Sequence, residues 1–130
     1  MTMRAATMNI NLIIESSDIL EEKSTERVLA LKKIENNSTY YAYESGMGRC
    51  EFLISADSLK MKRTGEADLE LEIYADGEGK MKYSTMGFQK DFRIKNAHIS
   101  FSSGNIAFSY DIMEGNELIN TLTIKIWEEQ

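Results

Sequence analysis

Ala67–Tyr74 reads ADLELEIY, in which apolar and acidic side chains alternate strictly. Successive side chains of an extended strand point to opposite faces, so this alternation places the leucines on one face and the carboxylates on the other. A helix would mix the two sets. Basic segments with the same period, Leu59–Arg63 and Lys80–Thr85, lie on either side. The pattern predicts three neighbouring antiparallel strands whose outer face carries an acidic row between two basic rows.

The connection between the first two of these strands sets their register, because a shift of one residue would turn every side chain to the other face. A three-residue loop, Thr64–Glu66, is compatible with the alternation on both sides. The predicted pairs are Lys62 with Asp68 and Lys60 with Glu70 on the outer face, and Met61 with Leu69 and Leu59 with Leu71 on the inner face.

The rest of the chain continues in short segments of period two, separated by polar turns in which all eight glycines fall. Proline is absent, so no strand is prevented from donating its ladder hydrogen bonds. No stretch has room for the helices that parallel strands require. We predict an all-β fold, a single antiparallel meander barrel of about eight to ten strands. The remaining predicted strands are Met8–Leu12, Thr39–Tyr43, Cys50–Ile54, Phe88–Ile94, Ala97–Phe101, Ile106–Met113 and Leu118–Trp127.

Ser16–Glu35 is the ambiguous segment. Asp18–Glu21 resembles a helix-capping box, and apolar residues that follow it partly keep a helical spacing. However, Val28–Leu31 is a continuous apolar run flanked by charges, which equally suits a strand. We predict a loop with room for one helical turn, followed by a strand from Arg27.

Length and charge limit the classes of function. The chain has 130 residues, which suits one domain over residues 1–130, with residues 1–7 as a flexible N-terminal extension. A net charge of -6 disfavours nucleic acid and anionic membrane surfaces as partners. Cys50 is the only cysteine, which excludes an internal disulfide and suits a reducing cytoplasm. No secretion signal or membrane-spanning run is recognisable, so we expect a cytoplasmic protein.

The motifs that could carry chemistry are better explained as structure. Gly46–Gly48 and Asp76–Gly79 are predicted to be hairpin turns rather than phosphate or calcium loops. The single histidine, His98, shares its parity with outward-facing serines, and Cys50 is in phase with buried apolar residues. We therefore predict no catalytic constellation, no metal site and no cofactor.

Polar residues at inward-facing positions are the candidate site. Arg63 follows Met61 in phase, and Lys90 lies between two phenylalanines. A buried charge costs several kcal/mol unless it is paired, so cations inside a barrel would suit an anionic group on an apolar ligand. The alternative is that both cations reach solvent at the rim, or that Lys90 marks a bulge. The candidate ligand-binding residues are Arg63, Lys90, Tyr43, Tyr83, Tyr110 and Asn120.

From Arg27 onward the sequence resembles the YwiB-like family of small bacterial proteins, which are calycin-like, lipocalin-related β-barrels. The resemblance implies a bacterial, cytoplasmic barrel but no activity, because the family has none established. Between Leu31 and Tyr40 the chain is shorter than the family pattern, which bears on the second strand and on barrel closure. The only tryptophan, Trp127, lies near the end, unlike the Gly-x-Trp of secreted lipocalins. The matching segments are Tyr43–Glu44, Leu59–Gly65, Tyr83–Gly87, Ile106–Asp111 and Asn120–Ile124.

Two functions are compatible with this fold. The first is non-catalytic binding of a small apolar or amphipathic ligand, which would need an interior cavity above roughly 300 Å³. The second is a structural or protein-interaction module with a side-chain-filled barrel, for which a second copy of the chain is a candidate partner. An enzyme would require a nucleophile and a base that no motif supplies.

Overall fold

The computed structural model describes residues 6–46, 48–102 and 104–129, and they form one closed antiparallel barrel of ten strands. Each strand pairs with its neighbours in sequence, and β1 closes the barrel by pairing with β10. The predicted all-β fold and antiparallel barrel are confirmed. The strands are β1 (Ala6–Ser17), β2 (Lys23–Glu35), β3 (Ser38–Ser45), β4 (Gly48–Ile54), β5 (Ser58–Thr64), β6 (Asp68–Tyr74), β7 (Gly79–Thr85), β8 (Phe88–Ser102), β9 (Asn105–Glu114) and β10 (Glu117–Glu129).

The two ends of the barrel differ. One end, here called the mouth, carries the hairpin turns β1–β2, β3–β4, β5–β6, β7–β8 and β9–β10. The opposite end, here called the base, carries the other four turns. No helix in the part of the chain that the structure describes could cross a membrane.

The alternation at β6 has the predicted consequence. Leu71 and Ile73 are fully buried, whereas Glu70 faces outward between Lys62 of β5 and Lys82 of β7. The predicted pairs, however, are displaced by two residues: Lys62 lies opposite Glu70 instead of Asp68, and the other three predicted pairs shift equally. The physical reason is that β5 continues to Thr64, so the loop comprises residues 65–67. A shift of two residues preserves the faces, which are as predicted.

The segment Ser16–Glu35 contains no helix, and the predicted start of β2 at Arg27 is wrong. β1 continues to Ser17 and β2 begins at Lys23. Asp18, which resembled a helix cap, instead closes the turn: its carboxylate accepts hydrogen bonds from the backbone N–H groups of Leu20 (2.9 Å) and Glu22 (3.1 Å). An aspartate can stabilise a tight turn by the same bonds that would cap a helix, which is why the local sequence was ambiguous.

Three other predictions about the chain's layout are changed. The two predicted strands Phe88–Ile94 and Ala97–Phe101 are one strand, β8. A bulge between Lys95 and His98 interrupts its alternation, so that even-numbered residues such as Ile94 face inward before the bulge and odd-numbered residues such as Ala97 face inward after it. β1 begins at Ala6, so residues 6 and 7 belong to the barrel wall rather than to the predicted extension, and residues 1–5 lie outside the described residues. Despite the short Leu31–Tyr40 region, β2 has 13 residues and the barrel closes.

The predicted turns are confirmed where they are described. The predicted turn Asp76–Gly79 lies in the connection of residues 75–78 between β6 and β7, and its last residue, Gly79, begins β7. Gly46 and Gly48 lie on either side of Met47 in the β3–β4 turn, and Met47 itself is outside the described residues. Gly48 is required there because its φ is +117° and a Cβ would lie 2.1 Å from the carbonyl oxygen of Thr64. The glycine therefore permits close contact between the β3–β4 turn and β5.

Candidate functional site

The barrel interior is divided between a filled base and an open mouth. Side chains fill the base, and the mouth contains a cavity of about 590 Å³. Four aromatic rings cross the interior from β3 to β9, with successive centroids 6.2–6.3 Å apart. Three of them line the cavity and the fourth, Phe108, belongs to the filled core. The rings are Tyr43, Phe52, Phe108 and Tyr110.

Inward-facing residues of most strands supply the cavity wall, and most of its exposed surface belongs to apolar atoms. This composition is typical of sites that bind small organic molecules, in which a few polar groups orient the ligand. The apolar lining residues are Ile14, Phe52, Met61, Leu69, Met81, Ile112, Leu122 and Ile124. The polar lining residues are Ser16, Ser24, Thr25, Glu26, Tyr43, Ser45, Cys50, Arg63 and Tyr110.

Arg63 is the only cation among the described residues that line the cavity. It lies on β5 beside Cys50 of β4, which in turn lies beside Tyr43 of β3. The guanidinium is half-buried and forms no ion pair or hydrogen bond with any side chain in the described ranges. A partly desolvated cation without a protein partner is an attractive position for an anionic group.

Tyrosine hydroxyls lie near this cation. Tyr110 is 1% exposed, and its hydroxyl has no hydrogen-bond partner among residues 6–46, 48–102 and 104–129. Burial raises the pKa of Tyr110, and the positive charge of Arg63 partly opposes that increase. Burial also raises the pKa of Tyr43, with a further contribution from the Cys50 thiol. Both hydroxyls therefore stay protonated at neutral pH and can donate hydrogen bonds to a ligand.

Cys50 is a buried free cysteine, as predicted. Burial raises the pKa of its thiol, and this effect exceeds the opposing influence of Tyr43 and Arg63. The thiol contributes to the cavity wall as a small apolar group rather than as a thiolate nucleophile.

Three of the six residues predicted from the sequence do not line the cavity. Lys90 forms an ion pair with Glu114 (2.7 Å) and lies 5.4 Å from the centre of the Phe92 ring. Tyr83 lies beside Lys90 on the adjacent strand and is not among the residues that line the cavity. The side-chain oxygen of Asn120 accepts a backbone hydrogen bond from the β1–β2 turn (3.2 Å) and so supports the mouth. Lys90 is on the inward parity as predicted, but it reaches the rim and its charge is neutralised there.

Sequence reasoning missed Glu26, which lines the cavity from β2. The error follows directly from the predicted start of the strand at Arg27. Once β2 is known to begin at Lys23, Glu26 is in phase with the inward-facing Val28 and Ala30. Strand parity could therefore have identified this carboxylate if the loop had been predicted with the correct length.

Sequence reasoning also missed a charged cluster at the base. Glu128 of β10 accepts a hydrogen bond from the hydroxyl of Tyr41 (2.6 Å) and forms an ion pair with Lys32 (2.5 Å). The side chains of Lys32 and Glu128 are 12% and 14% exposed. Burial alone would raise the pKa of Glu128, but the hydrogen bonds and charge supplied by its two partners lower it. The cluster stabilises the base of the barrel, because its positive and negative charges pair with each other.

The described residues contain no group of three or more histidine, cysteine or acidic side chains placed to hold a metal ion. His98 is exposed on the outer face, as its parity predicted. It lies beside Ser109 of β9, on the side of the sheet opposite to the cavity.

The fold can be compared with a solved structure. The crystal structure of YwiB from Bacillus subtilis superposes with a TM-score of 0.70, at 16% sequence identity, over 95% of this chain and 94% of that one. The chain shares the YwiB fold. No family model matches the sequence, and no curated protein matches it. At 16% identity the similarity concerns the path of the backbone and carries no side-chain role from one protein to the other.

Proposed function

We propose that the barrel binds a small amphipathic molecule without catalysing its conversion. The apolar part of the ligand occupies the cavity at the mouth, and an anionic group of the ligand pairs with Arg63. The observation that carries this proposal is the combination of a cavity of about 590 Å³ with a half-buried guanidinium that has no carboxylate partner in the described parts of the chain. Ligand sites of small-molecule-binding proteins fall in this range of volume.

The chemistry of the wall supports binding rather than reaction. The cavity offers one cation, one carboxylate, a protonated thiol and the hydroxyls of tyrosine, serine and threonine, set in a largely apolar surface. These groups hold and orient a ligand through charge and hydrogen bonds. The acidic net charge and the single buried cysteine favour a cytoplasmic protein that does not bind nucleic acid or anionic membranes.

Native mass spectrometry of gently purified protein tests the proposal first, because it detects a retained ligand directly. Binding of dodecanoate below its micelle concentration is then measured by calorimetry for wild type and for Arg63→Gln. We expect the variant to bind at least about tenfold more weakly, since it loses a charge-assisted hydrogen bond. Lys90→Gln is the matched control, because it removes a cation of the mouth that does not line the cavity.

Two results would contradict the proposal. One is a wild type that carries no ligand and binds no dodecanoate. The other is a folded Arg63→Gln variant whose affinity equals that of wild type and of the Lys90→Gln control. Urea unfolding of each variant establishes that a loss of binding does not result from a loss of structure.

A second candidate function is self-association at the mouth. Exposed apolar side chains occupy the β1–β2, β9–β10 and β7–β8 hairpins, which are consecutive around the barrel. Several large apolar side chains exposed on neighbouring hairpins are typical of interaction sites. Light scattering would detect a dimer, and Leu20→Ser with Met86→Ser should return it to a monomer. These rim residues are Ile19, Leu20, Met86, Phe88, Leu118 and Ile119.

A further inference from the structure

The cavity contains a carboxylate as well as a cation. Glu26 of β2 and Arg63 of β5 both line it, with β3 and β4 between them. Tyr43 and Cys50, on those two intervening strands, are influenced by both charges, with opposite sign. The two charged groups therefore act on the same small region of the cavity wall.

These two charges do not neutralise each other by direct contact. Across the described ranges, no ion pair or hydrogen bond joins Glu26 to Arg63 or to any other side chain. The described lining thus carries one positive and one negative group and has no net charge. A ligand with a single negative charge would gain from Arg63 but would be repelled by Glu26. A ligand that also carries a cationic group would be attracted by both.

Building on the proposed function, we propose that the ligand is zwitterionic: an apolar chain whose polar end bears both an anionic group, held by Arg63, and an ammonium group, held by Glu26. Long-chain α-amino acids have this chemistry. The serine and threonine residues at the mouth, Ser16, Ser24 and Thr25, supply neutral hydrogen-bonding groups around such a polar end.

Three probes with the same chain length test this inference: dodecanoate, 2-aminododecanoate and dodecylammonium, each below its micelle concentration. Calorimetry should show that wild type binds 2-aminododecanoate about fivefold more tightly than dodecanoate, the effect of one partly exposed charge pair. Glu26→Gln should abolish this preference and strengthen dodecanoate binding about twofold or more. Glu114→Gln, which removes a carboxylate of the mouth that does not line the cavity, should leave the preference unchanged.

The outcomes separate this inference from the proposed function. If wild type binds dodecanoate and 2-aminododecanoate equally, and Arg63→Gln weakens both, the zwitterionic ligand is wrong while the anion site stands. If dodecylammonium binds most tightly and Arg63→Gln has no effect, both are wrong. The wild-type preference is measured without any variant, so the inference stays testable even if Glu26→Gln does not fold.

Discussion

Breaking the charged cluster at the base should destabilise the barrel strongly. Glu128→Gln preserves the shape of the side chain and an oxygen that can accept the Tyr41 hydrogen bond, but it removes the negative charge that pairs with Lys32. The ammonium group of Lys32, whose side chain is only 12% exposed, would then have lost its counter-ion. Removal of one partner of a buried ion pair costs about 3–5 kcal/mol. Because water reaches both side chains, we expect the lower limit, about 3 kcal/mol.

The pH dependence of this loss follows from the pKa of Glu128, which is lowered in the folded protein. A carboxyl group with a depressed folded pKa contributes stability above its unfolded pKa of about 4.3, and that contribution is lost as the pH falls through the folded value. The difference in unfolding free energy between wild type and Glu128→Gln should therefore be largest near pH 7. It should shrink in acid, below about pH 4.

Urea unfolding at pH 7 and pH 3.5 measures both effects, and a loss of 3 kcal/mol corresponds to about 10 °C in melting temperature. The triple variant Lys32→Met, Tyr41→Phe and Glu128→Leu is the control, because it removes the hydroxyl that Glu128 accepts from as well as the ion pair, and a buried ion pair can often be replaced by apolar groups without loss. We expect it to be more stable than Glu128→Gln. A single-variant loss below about 1 kcal/mol, or one that is the same at both pH values, would refute this account of the base.

Three further predictions concern the fold and the cavity wall. Gly48→Ala should cost more than about 2 kcal/mol in urea unfolding, because its Cβ would lie 2.1 Å from a backbone oxygen, whereas Gly46→Ala, which meets nothing within 4 Å, should be nearly neutral. Leu71→Ala removes a fully buried side chain and should lower the free energy of unfolding by about 2–5 kcal/mol. The control is Leu20→Ala, at a position that is 77% exposed, and equal stability of the two variants would contradict the assigned core. At pH 8, a thiol reagent should react with Cys50 at least about tenfold more slowly in the folded protein than in protein unfolded in urea, because burial raises the pKa of the thiol. Equal rates in the two states would show that the folded protein has an accessible thiolate.

The faces of the strands followed from the sequence because side-chain period is a local property. The alternation in Ala67–Tyr74 was sufficient to predict which residues of β6 are buried, and the same parity placed Arg63, Tyr43 and Tyr110 at the cavity. The exact pairing of the strands did not follow from the sequence. The predicted β5–β6 register was wrong by two residues, because a three-residue loop at residues 64–66 and one at residues 65–67 keep the same faces.

Positions near the strand ends could not be predicted in this way. Lys90 has the inward parity of Arg63, yet it is at the rim, where Glu114 neutralises it. Parity indicates a face but not the depth along the barrel axis, which depends on the tilt and stagger of all ten strands. Glu26 was missed because the bonds that Asp18 makes in a turn resemble those of a helix cap.

By itself, the sequence determined the all-β class, the antiparallel order and the inner and outer faces, since these follow from local periodicity and turn residues. Only the tertiary structure decided that the base is filled while the mouth is open, and which charges meet. Glu128 of β10 pairs with Lys32 of β2 over the intervening strand β1, although the two are 96 residues apart in sequence. Arg63 and Glu26, by contrast, face one cavity without contact. Such encounters depend on how a closed sheet staggers its strands, which no local pattern records.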